Sequence, residues 1–299
     1  MDWTKSFLNY LEFEKRYSPH TLEAYHVDIQ QYIDYLSAVY QIPDVQATRA
    51  MHLRSWMVFL HENKLSNRSI NRKISALKSF FNFLRKRHGL AANPIRKLVN
   101  PKVEKRLPVV VRKEHLDRLF HINQEPEDSF EVMRDTLALE ILYNCGLRRS
   151  ELIQLKTNDF DWSRQLVKVE GKGKKERWIP VSTELIHLID QFIPVRGARL
   201  KELDVEDHHH LLITNQGQEL YPKWVYNFVK FKLNLVTSVE RRSPHIIRHS
   251  FATHLSDAGA DLNAIKTLLG HSSLAATQVY MHNSVEKLKK IYDQAHPKS

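Results

Sequence analysis

The 299-residue chain carries 45 Lys and Arg against 34 Asp and Glu, a net charge of +11, with 42% hydrophobic residues. One core rarely grows past roughly 250 residues, so two domains are expected, and the charge excess points to a polyanionic partner. No apolar run nears the roughly 20 residues of a membrane span, no basic head and apolar block mark a signal peptide, and the lone Cys145 excludes an internal disulfide and fits a reducing cytoplasm.

The first hundred residues read as a bundle of roughly four helices, with no internal repeat. "MDWTKSFLNYLEFEKR" supplies the first. "SPHTLEAYHVDIQQYIDYL" opens on Ser18 as N-cap and Pro19 at the first helical position, and Leu22, Tyr25, Ile29, Tyr32, Ile33 and Leu36 recur at helical spacing. "RAMHLRSWMVFLHEN" is a third helix, and "SNRSINRKISALKSFFNFLRKR" a fourth with Ile70, Ile74, Leu77, Phe81 and Leu84 as its apolar stripe. Between Glu62 and Glu104 no acidic residue occurs, while Lys64, Arg68, Arg72, Lys73, Lys78, Arg85, Lys86, Arg87, Arg96, Lys97 and Lys102 are all basic. Solvated faces normally mix both signs, so this region is assigned to a nucleic-acid phosphate backbone. No lipid-anchor motif accompanies it, which argues against a membrane surface.

"LAANPIRKLVNPKVEKRLPVVV" carries Pro94, Pro101 and Pro108 and loses periodicity, so residues 93–110 are read as a basic extended linker between domains 1–92 and 111–299. The second domain is mostly helical. Its β signal is "RQLVKVEGKGKKERWIPVS", where Leu166, Val167 and Val169 lead through Gly-Lys-Gly to Trp178, Ile179 and Val181, a hairpin. His208 to His210 are read as a solvated polar loop, with weak metal binding as the alternative.

Several segments of this domain could carry chemistry. In "SPHIIRHSFATHL", His245 and Arg248 share a helix face near a positive N-terminus, which suits a phosphate; a capping histidine and an exposed arginine are the alternatives. His245 and His249 have zinc-pair spacing, but no glutamate follows His245 and no carboxylate cluster suits magnesium, so no catalytic metal is expected. In "LYNCGLRRSELIQLK", Arg148 could fork two phosphoryl oxygens or simply pair with Glu151. Lys172 sits on the hairpin turn, where lysines are ordinarily solvated.

Taken in order, "CGLRRSEL", "GKGKKERWIPV", "SPHIIRHSFATHL" and "LLGHSSLAATQVYMH" resemble the tyrosine recombinase (phage integrase) family over essentially the full chain. Within it the chain is most similar to the Xer-type recombinases that resolve chromosome dimers. The resemblance implies a mainly α fold with a small β-sheet or hairpin in the catalytic domain, preceded by a four-helix SAM-like core-binding domain. It implies that Tyr280 attacks a DNA phosphodiester, forms a 3′-phosphotyrosyl link and releases a 5′-hydroxyl. Arg148 and Arg248 would bind the non-bridging oxygens with help from His271. Lys172 would protonate the leaving oxygen, and His245 would orient or deprotonate the tyrosine.

No cofactor or metal is implied. The implied partners are double-stranded DNA, a homo- or hetero-tetramer with a paralogous recombinase on two sites, and an activating DNA translocase. A C-terminal helix at about 284–293 would be exchanged between protomers, although docking on its own domain is the alternative. Met281 and Arg149 depart from residues frequent in Xer-type relatives, at positions next to catalytic ones. Mobile-element integration or DNA inversion would use the same residues. A type IB topoisomerase, a metal-free nuclease and a non-catalytic DNA-binding regulator are the more distant rivals.

Overall fold

The computed structural model describes residues 2–96, 98–103, 109–121, 129–171, 175–239 and 242–270. The chain divides into two compact units, residues 1–106 and 107–299.

In the first unit, α1 (Trp3–Asn9) runs into a π-helical turn at Tyr10–Glu14, followed by α2 (Pro19–Tyr40), α3 (Ala50–Glu62) and α4 (Asn67–His88). Pro19 opens α2 as the sequence predicts; the Ser18 hydroxyl meets Thr21 Oγ1 at 2.9 Å instead of capping a backbone amide. The expected stripe of α4 is buried in full: Ile70, Ile74, Leu77, Phe81 and Leu84 pack with Phe7, Ile29, Tyr32, Leu36, Leu53 and Trp56. Burial of such side chains contributes about 1.5–3 kcal/mol each before conformational entropy is subtracted. Gly89 takes the left-handed conformation (φ 68°) that ends α4.

Residues 93–110 were expected to run as an extended linker, yet much of the described part before residue 104 rests on the helical unit. Ile95 is buried in its core. The side-chain amides of Asn71 and Asn67, each 2.9 Å away, donate to the carbonyls of Pro101 and Lys102. Lying outside any helix or sheet, the carbonyls of Pro101 and Lys102 have no regular backbone partner and take theirs from the polar flank of α4.

The second unit contains α5 (Lys113–His121), α6 (Phe130–Asn144), α7 (Arg149–Gln154), β1 (Phe160–Asp161), β2 (Leu166–Glu170), β3 (Glu176–Pro180), α8 (Thr183–Glu202), α9 (Pro222–Val236), α10 (Pro244–Asp257) and α11 (Leu262–Leu268). Every residue from Leu137 to Asn144 is buried, so α6 is the central helix and has no solvent face over that stretch. The hairpin is present in the expected order: β2 pairs antiparallel with β3, with Val167 opposite Ile179 and Val169 opposite Arg177. The short β1, which the sequence did not signal, adds a third strand beside β2. No helix among the described residues is long and apolar enough to cross a membrane.

Candidate phosphate-binding site in the second unit

A tight connection between α6 and α7 places the first functional side chain. Gly146 has φ 55°, and a Cβ there would lie 2.4 Å from Cδ1 of Phe251, so neither the backbone nor the space admits a side chain. Leu147 is fully buried, and Arg148 then occupies the N-cap position of α7 with extended backbone. Its own amide donates to Glu151 Oε2 at 2.8 Å, and its Nη1 donates to Glu151 Oε1 at 2.7 Å. The pairing with Glu151 expected as an alternative is therefore real, and it fixes the guanidinium rather than consuming it. Nε of Arg148 has no hydrogen-bond partner among the described residues, and the side chain remains 29% exposed.

Glu151 is the hub of the site. Arg177, projecting from β3, grips both of its oxygens, with Nη1 2.9 Å from Oε1 and Nη2 2.8 Å from Oε2. Arg248, on α10, approaches Oε2 at 3.6 Å. Burial pushes the Glu151 carboxyl up, but the bonds and charge of Arg177 together with those of Arg148 outweigh it and hold the pKa at about 2. Three guanidinium groups around one carboxylate leave a net charge of +2 in a largely buried setting. Burial, with the neighbouring Arg148 charge, lowers the Arg248 pKa to about 10, which still leaves it charged at neutral pH.

The same three arginines also hold the end of α11. Its final carbonyls have no partner within the helix, and each is taken by a different guanidinium. Arg177 Nε donates to Leu268 O at 2.7 Å, Arg248 Nη2 donates to Leu269 O, and Arg148 Nη2 lies 3.4 Å from Gly270 O. Arg248 Nη1 also donates to Gly146 O at 2.6 Å, tying α10 to the α6–α7 turn. Cationic groups at a helix C-terminus complement the negative end of its dipole. Gly270 turns the chain with φ 62°, and a Cβ there would crowd Arg177 Cδ at 3.1 Å.

The structure brings together Arg148 and Arg248. His245 lies exposed on the first turn of α10, one turn before the buried Arg248, so the pair shares a helix but not an environment. Lys172, His271 and Tyr280 lie outside the described residues, as do Met281, Lys97 and the helix expected at about 284–293. Sequence reasoning missed both Glu151 as the hub and Arg177 as its principal partner. Cys145 is buried, and burial pushes its thiol up to about 12, so it is no nucleophile at neutral pH.

On the first unit, Arg68, Arg72, Lys78, Arg85, Lys86 and Arg87 are exposed along α4, with Lys64 just before it and Arg96 and Lys102 after it. Lys73, expected on the DNA-facing surface, is buried instead. It is 5% exposed, and its ammonium sits 2.9 Å from Oδ1 of the buried Asp28, which Arg72 also grips. Its position three residues after Ile70 and four before Leu77 turns it inward, where it neutralises Asp28 instead of facing solvent. Arg72 keeps 54% of its side chain exposed, and Arg87 pairs with Glu14 at the surface.

Comparison with known proteins adds an independent line. The model described as "Phage integrase family" matches residues 110–287, and that described as "Phage integrase, N-terminal SAM-like domain" matches residues 4–88. A protein of Chlorobaculum parvum named "Tyrosine recombinase XerC" is 34% identical over 316 residues, covering 99% of this chain and 94% of its own. Its namesake in Staphylococcus saprophyticus is 34% identical over 295 residues, covering 99% and 97%. Among solved structures, the XerH site-specific recombinase bound to difH substrate superposes with a TM-score of 0.65 at 20% identity, covering 91% of this chain and 76% of that one. The Tn1549 transposon integrase in complex with transposon right end DNA gives 0.71 at 16% identity, covering 98% and 95%. Identities this low speak for the shared fold alone.

Proposed function

The chain belongs to the phage integrase family of tyrosine recombinases, a site-specific DNA recombinase by that membership, and we propose that it cuts and rejoins DNA strands through a 3′-phosphotyrosyl intermediate on Tyr280. The observation that carries this reading is the arginine cluster around Glu151. It sets the partly exposed Arg148 beside the buried charge of Arg248 as a cationic seat for a phosphodiester, and the backbone it holds at Gly270 leads directly to His271.

The roles follow from chemistry. A phenol with an ordinary pKa near 10 is neutral at pH 7, so Tyr280 must lose its proton as it attacks, with His245 orienting it or taking the proton. Negative charge then develops on the phosphoryl oxygens, and Arg148 and Arg248, with His271, stabilise it in place of a metal ion. Lys172 gives a proton to the departing 5′-oxygen. The new phosphotyrosine bond retains the energy of the broken ester, so a 5′-hydroxyl from a second strand can reverse the step without ATP.

The substrate in this reading is double-stranded DNA. The exposed cations of α4 and its flanks, Arg68, Arg72, Lys78, Arg85, Lys86 and Arg87 with Lys64 and Lys102, contact its backbone. Four protomers, of this chain alone or with a paralogue, act in the cytoplasm on two paired sites, with a translocase as activator. The Xer-type resemblance favours chromosome-dimer resolution over integration or inversion, in line with relatives named "Tyrosine recombinase XerC".

The test is covalent trapping. Wild-type protein mixed with nicked, labelled duplex should yield a denaturant-stable protein–DNA adduct that maps to Tyr280. Tyr280→Phe should yield none while retaining DNA affinity within about twofold. An adduct formed by that variant would remove Tyr280 from its role.

A further inference from the structure

The triple histidine was expected to lie in a solvated loop. The structure instead builds it into the connection between α8 and α9. His210 is 6% exposed. Its backbone is held from two directions: its carbonyl accepts from Nε of the buried Arg196 at 2.7 Å, and it bridges to Lys156. The next amide, of Leu211, donates to Leu155 O at 2.8 Å. Arg196 also forks Asp207 with bonds of 2.9 and 2.6 Å. Opposite, Ile213 bridges to Glu219, closing a small turn through Thr214 and Gln218.

This framework brings three donors to one point. His208 Nδ1 faces His210 Nδ1 at 3.0 Å, and His210 Nδ1 lies 3.5 Å from Glu219 Oε1. The ligand atoms of all three residues fall within 4.8 Å of one another, the one such group of histidine, cysteine and carboxylate donors among the described residues. The other nitrogen of His208, Nε2, lies 3.0 Å from Gly217 O. A carbonyl only accepts, so the proton of neutral His208 belongs on Nε2 and Nδ1 carries the lone pair, which the His210 amide meets only at a long 3.4 Å. That is the arrangement in which metal-bound histidines are found, with the distal N–H fixed by a carbonyl.

From bond lengths of 2.0–2.1 Å and tetrahedral angles, two ligands of one zinc ion should lie about 3.3 Å apart. The separations of 3.0 and 3.5 Å straddle that figure. With no ion bound, the Nδ1 proton of His210 serves both neighbours, donating to His208 Nδ1 and facing the Glu219 carboxylate; an ion would take that proton's place between the same three donors.

We propose that His208, His210 and Glu219 bind a divalent transition-metal ion, zinc by choice of ligands, with solvent completing the coordination. Such an ion would fasten the His208–His210 stretch to the Glu219 turn within the α8–α9 connection, whose backbone is separately bonded to Leu155 and Lys156. It is a structural site, independent of the phosphoryl-transfer residues and of the reading proposed for them.

The experiment uses untagged full-length protein stripped with chelator and titrated with zinc chloride by calorimetry. Binding of one zinc per chain and a raised melting temperature are expected. His208→Gln and Glu219→Gln should each weaken that binding at least about tenfold while leaving recombination and the metal-free melting temperature near wild type. Both changes conserve volume, and the Glu219 side chain is half exposed, so folding is retained. Cobalt(II) in place of zinc should give a visible absorption band that both variants lose. Wild-type protein that takes up no stoichiometric zinc would overturn the site. So would variants that bind zinc as tightly as wild type.

Discussion

Arg177 and Glu151 meet as a two-pronged ion pair, with Nη1 2.9 Å from Oε1 and Nη2 2.8 Å from Oε2, while Nε of the same guanidinium holds Leu268 O at 2.7 Å. One residue of β3 thus connects the helix that carries Arg148 to the end of the helix that precedes His271. This glutamate and arginine are held by each other, and together they fix where Arg148, Arg248 and the end of α11 stand.

Acid should therefore unfasten the site at Glu151. Its folded pKa lies well below the unfolded value, so its stabilising contribution is complete above the unfolded pKa of about 4.5 and fades as pH falls toward about 2. The depression corresponds to a contribution on the order of 3 kcal/mol. Urea unfolding of wild type and Glu151→Gln should show a stability gap that is widest near neutrality and shrinks across this window. A gap that does not change with pH would contradict the assignment.

Arg177→Lys keeps the charge but cannot fork a carboxylate and reach a carbonyl at once. As a positioning residue, Arg177 should affect the chemical step more than binding. Single-turnover cleavage should slow by roughly tenfold to a hundredfold, while DNA affinity stays within about twofold. Equal losses in affinity and rate would point to a general folding defect instead.

Gly146→Ala should be severe for its size. The new methyl meets Phe251 at 2.4 Å, and the backbone keeps a φ of 55°. Together, overpacking and left-handed strain should cost about 2–4 kcal/mol. Pairing it with Phe251→Leu should recover part of the loss in thermal denaturation, because the ring supplies the clash. A double variant that is merely the sum of two losses would show that strain alone dominates.

On α4 the cations separate into two kinds. Lys73→Met leaves Asp28 buried with one partner fewer and should destabilise the first unit by about 3 kcal/mol without changing how binding depends on salt. Arg68→Ala with Lys78→Ala should leave stability near wild type and lower DNA affinity. The log–log salt slope should flatten by about 0.9 for each lost phosphate contact. If the surface pair leaves the slope unchanged, this face of α4 does not meet the duplex.

These cases show what the sequence made legible. Helical spacing located α2 and α4 and their buried stripes, because burial repeats with the pitch of the helix. The ordered motifs carried the family resemblance; among the described residues, "CGLRRSEL" falls at the turn into α7 and "SPHIIRHSFATHL" at the start of α10. Arg177 escaped because an arginine in "GKKERW" looks like a solvent-facing residue of an edge strand; its partner Glu151 is distant in sequence. Lys73 was misplaced for the opposite reason: its charge outweighed its spacing from Ile70 and Leu77, which already put it on the buried side. His210 looked solvated because a polar triplet says nothing of the Arg196 and Leu155 contacts that draw it inward.

The carbonyls of Leu268, Leu269 and Gly270 are consecutive, and each is claimed by an arginine from a different part of the fold. The end of α11 is thus indexed like a key against three pins. Side chains along the exposed flank of α11 can vary freely, but its length cannot. One residue inserted between Asp261 and Leu268 would offer every guanidinium its neighbour's carbonyl and rotate the following chain by about 100°. Evolution of this segment should therefore proceed by substitution and never by insertion or deletion.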